Sequence, residues 1–270
     1  MAHRVDSFQT NPYLRARFQA VGQDLAFAAK TRDEWRAWVR TARRTLKRLT
    51  GYDTMQPASL APRVVESVDF PEYRRQKVEI RTEPGIRMPF YVLIPRRGQA
   101  PFPEVLAPHG HCGGGKVAVA GCREDPEVAR AIDEYHYDYG VQFVREGFIV
   151  FCPDARGFGE RREAGAQSSL LSSSCQAINS MAQPLGQTVA GMWAWDLHRL
   201  LDYAASRPDC DGRRIGCAGL SGGGLQTLWA TALDDRIRCA VISGYLYGAR
   251  ESLLDMTCCS CNYVPHLFER

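Results

Sequence analysis

The sequence predicts an α/β fold with a mostly parallel sheet flanked by helices, and three observations carry the prediction. First, short apolar runs alternate with helix-period segments along the second half of the chain. "PEVLAP", "FIVFCPD", "RIGCAGL" and "IRCAVISGYL" read as strands, and "EVARAIDEYHYDYGVQFVREG", "TVAGMWAWDLHRLLDYAASRP" and "GGLQTLWATALD" as helices. Second, helices of that length between strands make crossover connections, which set the strands parallel and cover both faces of the sheet. Third, the chain has 270 residues, 45% of them hydrophobic, enough for one large buried core.

Taken in order, residues 1–62 read as a helical extension with a linker, and residues 63–270 as the main domain. In "TRDEWRAWVRTARRTLKRLTG", Thr31 and Glu34 form a capping box, Trp35, Trp38, Val39, Ala42, Leu46 and Leu49 share a face, and Gly51 stops the helix. Arg36, Arg40, Arg43, Arg44, Lys47 and Arg48 lie mainly off that face. They account for most of the net +7 of residues 1–50, against −3 for the rest of a chain whose total is +4. A solvated face on a packed helix explains this charge, so neither nucleic acid nor a membrane is expected as a partner. "TMQPASLAPRV" reads as the linker, and "QKVEIRT" and "MPFYVLIP" flank the turn "EPGIR" as an antiparallel hairpin. In the helix from "TVAGMWAW", Val189, Met192, Trp193, Leu197, Leu200, Leu201 and Ala204 form the buried stripe.

No apolar run approaches the roughly 20 residues of a membrane span, and the start lacks the apolar segment of a secretory signal, so a cytoplasmic location is expected. The ten cysteines are scattered, several in strand-like apolar runs such as "FIVFCPD" and "RIGCAGL", and most read as small buried hydrophobes. "CCSC" holds one C-x-x-C, Cys258 and Cys261, without a second pair at zinc spacing or a redox-fold context.

"HGHCGGGK", His109 to Lys116, admits three readings. Gly110 to Lys116 fits the start of a phosphate-binding loop, but Val117 stands where Ser or Thr should hold Mg²⁺, and "VAVAGCREDP" is not a helix-former. "FIVFCPD" could pass for the loop's acidic partner. His109 and His111 could begin a metal site, but His136, His198 and His266 show no matching spacing. The third reading is a turn that offers bare backbone N–H groups to a developing negative charge.

"RIGCAGLSGGG" decides among them. Gly219-Leu220-Ser221-Gly222-Gly223 is G-x-S-x-G between a strand and a helix, the context of a nucleophile elbow. The sharp turn forces the central residue into strained angles and leaves no room for neighbouring side chains. The surrounding "DLHRLLDYAASRPDCDGRRIGCAGLSGGG", "FVREGFIVFCPDARGFGER" and "VLAPHGHCGGGK" resemble, in the right order over residues 75–265, α/β-hydrolases of the dienelactone hydrolase, acetyl xylan esterase and prolyl-oligopeptidase-like group. That resemblance implies an α/β-hydrolase fold and a serine esterase acting on small-molecule esters without a cofactor or metal. Ser221 would be the nucleophile, with an oxyanion hole from the N–H of Gly222 and one from His111 or Cys112. His109 would brace the loop, and Asp154 and Arg156 would tie loops together. Esters are favoured over peptides, because no propeller or other gating domain is present.

The resemblance breaks at the end. The family places its acid and base after two further strands, in the chain order Ser, acid, His. Here 49 residues with one more strand follow Ser221. Asp234 and Asp235 read as a surface turn, which leaves Asp255 and His266 as the candidate acid and base. The expectation is therefore a fold with its last strands missing, "IRCAVISGYL" as an uncovered edge, and a serine without its base. A non-catalytic protein that binds a ligand in the old cleft is the alternative.

Overall fold

Residues 63 to 95 open the sheet with three antiparallel strands, β1 (Arg63–Asp69), β2 (Tyr73–Glu83) and β3 (Ile86–Pro95). The computed structural model describes residues 8–248, 250–255 and 260–270. The hairpin β2–β3 turns at Pro84 and Gly85, where a φ of +80° suits glycine. β1 was not expected. Its residues are nearly all exposed, Val64 at 54%, so the stretch carries no in–out alternation, and its first two residues fall in the predicted linker.

β3 pairs antiparallel with β5 (Ile149–Pro153), and from there the sheet runs parallel through β4 (Phe102–Leu106), β6 (Cys210–Leu220) and β7 (Cys239–Ser243). The order is β1-β2-β3-β5-β4-β6-β7, a mixed sheet whose parallel half carries the predicted crossovers. β7 is an edge strand and mostly exposed, with Val241 at 50%.

The helices are α1 (Thr10–Ala20), α2 (Arg32–Leu49), α3 (Lys116–Val119), α4 (Pro126–Tyr135), α5 (Tyr139–Arg145), α6 (Cys175–Ala182), α7 (Val189–Ala205) and α8 (Gly222–Leu233). α4 and α5 replace the single helix the sequence suggested. Asp125 caps α4 through Glu127 and Val128, and His136 ends it at a φ of +51°. The break turns α5 so that Gly140 meets the Val119 carbonyl, where a Cβ would lie 2.6 Å from the oxygen.

The strands bury alternate residues on opposite faces. Phe90, Val92, Leu106 and Phe151 pack under α7, where the predicted stripe is buried from Trp193 to Ala204. Leu93, Val105 and Val150 meet Val119, Ile132 and Val144 on the other face. Each such buried side chain contributes about 1.5–3 kcal/mol.

The predicted capping box of α2 is present. Leu46 and Leu49 pack against the cluster of Trp193, Leu225 and Trp229. Two members of α2 depart from expectation. Trp35 is 47% exposed, and Arg43 is docked: its guanidinium donates to the Ala232 carbonyl and pairs with Asp235 at 2.6 Å. Cys122, Cys152, Cys175, Cys217 and Cys261 are buried as expected, whereas Cys112 and Cys239 are exposed. Cys258, half of the C-x-x-C, lies outside the described residues. Among the described residues, no helix is long and apolar enough to cross a membrane.

Candidate active site

β6 runs into α8 through Ser221, whose φ of 56° and ψ of −118° are strained for a residue with a Cβ. Such a backbone costs about 1–3 kcal/mol and persists where the surroundings enforce it. The enforcement is visible. A Cβ on Gly219 would lie 2.3 Å from the Gly223 carbonyl, and one on Gly223 would lie 2.1 Å from the Pro108 oxygen. The Ser221 N–H donates to Ser243 O at 2.8 Å, and Ser221 O accepts from the Leu225 N–H at 3.0 Å to start the helix. Ser221 itself stays partly exposed.

The loop after β4 lies against this turn. The Tyr139 hydroxyl donates to Pro108 O at 2.6 Å, and the Gln226 amide donates to His109 O at 2.7 Å. The Ala155 N–H donates to His109 Nε2 at 3.1 Å, which leaves the proton on Nδ1 to donate to Gly110 O at 2.9 Å. Burial pushes the His109 pKa down, so this brace is neutral. A Cβ on Gly110 would lie 3.1 Å from the Gly222 nitrogen, and one on Gly222 would lie 2.7 Å from His111 Nδ1. The fold therefore brings together Ser221, Gly222 and His111, with Cys112 exposed at the next position.

Lys116 and Asp154 satisfy each other. Lys116 is 2% exposed, and its ammonium donates to Asp154 at 2.6 Å and to Glu160. Burial pulls its pKa down, but Asp154 and Glu160 outweigh that and hold it at about 12. Asp154 also accepts from the backbone N–H groups of Lys116 and Glu160. The cation and the acid of the phosphate-loop reading are thus both consumed internally. The chain does turn helical at Lys116, contrary to expectation, but for four residues. Arg156 joins Asp196 and Glu83, tying the 154–161 loop to α7 and the hairpin.

Asp255 and His266 are committed elsewhere. Asp255 pairs with Arg15 at 3.0 Å and Arg250 at 3.4 Å, and the exposed His266 bonds Glu269 at 3.1 Å. Asp234 and Asp235 bind Arg236 and Arg43 at the turn before β7.

One grouping escaped the sequence reading. His111 Nε2 lies 3.3 Å from Cys261 Sγ and 3.6 Å from Cys175 Sγ, with both cysteines buried. Phe158 meets both imidazoles edge to face, 4.9 Å from His109 and 5.1 Å from His111. The Cys175 thiol is drawn down to about 5 by its hydrogen bond with Cys261, against the upward push of burial and with help from His111. These partners stand 64 and 150 positions from His111, so no local spacing announces them.

A model of the Abhydrolase family matches residues 14–264. The protein "Putative hydrolase YtaP" of Bacillus subtilis is 32% identical over 159 residues, 57% of this chain and 47% of its own. The chain thus spans about half the length of that curated relative. Among solved structures, "a putative acetyl xylan esterase" from Bacteroides fragilis superposes with a TM-score of 0.79 at 20% identity, covering 98% of this chain and 71% of that one. A glucuronoyl esterase from Solibacter usitatus gives 0.58 at 18%, over 82% and 62%. At these identities, the likeness is one of fold.

Proposed function

Since the chain belongs to the Abhydrolase family, we propose that it is a hydrolase of small-molecule carboxyl esters that works through an acyl-enzyme on Ser221. The observation that carries this reading is the positive φ of Ser221 on a β6–α8 turn packed against the His-Gly loop. Ser221 Oγ attacks the acyl carbon, the alcohol leaves, and water then releases the acid from the serine. The negative charge that develops on the carbonyl oxygen meets the N–H of Gly222 and one from His111 or Cys112. Each such donor is worth roughly 2.7–4 kcal/mol in the transition state. The esterases among the structural neighbours support an ester as the substrate class.

Ser221 also needs a base. Asp255 and His266, the candidates for acid and base, are paired with Arg15, Arg250 and Glu269. That observation favours a second reading, a non-catalytic cleft that binds the same class of ligand. Turnover of p-nitrophenyl acetate separates the two. The hydrolase reading expects turnover by the purified chain that falls by a factor of about a thousand or more in Ser221→Ala. Ligand binding with no Ser221-dependent turnover supports the second reading instead.

A further inference from the structure

We propose that His111, Cys175 and Cys261 form a binding site for a zinc-class divalent metal ion beside the oxyanion loop. Three donor atoms on three separate pieces of chain converge, His111 Nε2 and the two sulfurs, all within 4.8 Å of one another. The separations suit a tetrahedral centre. Zn–S near 2.3 Å and Zn–N near 2.0–2.1 Å put a bound nitrogen and sulfur about 3.6 Å apart. The observed nitrogen–sulfur distances are 3.3 and 3.6 Å. Two sulfurs and an imidazole are a donor set that selects zinc over the hard cations Mg²⁺ and Ca²⁺. Two thiolates also balance the dipositive charge, so the loaded site is neutral in a buried place.

The donors are held ready. Cys175 opens α6 against Gly157, where a Cβ would lie 2.7 Å from the Cys175 nitrogen. The segment carrying Cys261 is fixed on both sides: the Asn179 amide donates to Ser260 O at 3.4 Å and to Tyr263 O at 3.1 Å, and the Trp229 indole donates to Asn262 at 2.7 Å. The His111 ring meets Phe158 edge to face and lies beside Gly222, where a Cβ would come within 2.7 Å of Nδ1. Each cysteine binds as its thiolate and any proton it carries passes to solvent, so affinity rises with pH. Three protein ligands leave a fourth position for water or another donor. The ion would pin α6 and the Cys261 segment to the loop that touches Gly222. The inference stands whether or not Ser221 is a nucleophile.

The test is a titration of the reduced, chelator-stripped chain with Co²⁺ under argon. The expected result is one ion per chain, a sulfur-to-cobalt charge-transfer band, visible bands of tetrahedral intensity, and loss of all of these when Zn²⁺ is added. Cys175→Ser and Cys261→Ser should each lose the charge-transfer intensity. Should those variants fail to fold, alkylation mapping of the wild-type chain decides, with Zn²⁺ expected to protect Cys175 and Cys261. A wild-type chain without the charge-transfer band, or one whose band survives in the double variant, overturns the site. So does equal alkylation of both cysteines with and without Zn²⁺.

Discussion

At the scale of residues, glycines decide the elbow. Gly219 and Gly223 are lodged against backbone, which cannot retreat, whereas Gly222 is lodged against the imidazole of His111. The consequences of Ala differ accordingly. Gly219→Ala should lower stability by about 1–3 kcal/mol, as overpacked sites do, and move Ser221. Gly222→Ala should leave the melting temperature closer to wild type but crowd the His111 imidazole and the Gly110 backbone, displacing the loop that offers the second N–H and cutting ester turnover by up to about 10²–10³, the cost of a lost oxyanion donor. Thermal melts and p-nitrophenyl acetate assays on the two variants check this. The elbow was legible because its motif is local, five consecutive residues between a strand and a helix. The thiol cluster was not, because folding alone brings residues 111, 175 and 261 together. No further histidine stands at metal-site spacing from His111, and the fold supplies cysteines instead.

Among the elements, β4 carries an acid where a hydrophobe would fit. Glu104 is 1% exposed, and neither carboxylate oxygen has a hydrogen-bond partner in the described structure. Burial, then Asp211 and Asp209, push its pKa from 4.5 up to about 7. Between those values, the folded chain holds a proton that the unfolded chain has lost. Stability therefore falls as pH rises through that window, and the full cost is present above it. Glu104→Gln should raise stability by about 1–2 kcal/mol at pH 8 and change it little at pH 4, as read by urea melts at both values. Elements with strong periodicity or turn chemistry were readable, the β2–β3 hairpin and α7 above all. β1 was not, because an exposed edge strand has no alternation to read, and the break between α4 and α5 depends on a contact at Gly140 that is tertiary.

At the scale of the whole molecule, the basic helix α2 packs against the helices that cover the sheet. Its apolar face meets the aromatic cluster around Trp193, and Arg43 reaches the end of α8 and Asp235. The family match likewise begins at residue 14, inside α1. The sheet is parallel where the elbow sits and antiparallel on the side of β1, a division that the crossover pattern foretold for its own half. Asp255 and His266, the expected acid and base, bind other partners, Arg15 and Arg250 for the one and Glu269 for the other.

What joins the scales is the claim that this fold strains Ser221 in order to present it. Labelling of the full chain with a fluorophosphonate probe, mapped by mass spectrometry, tests that claim most directly. The account predicts a single adduct on Ser221 that disappears in Ser221→Ala. An unlabelled wild-type chain, or labelling that persists in the alanine variant, would contradict it.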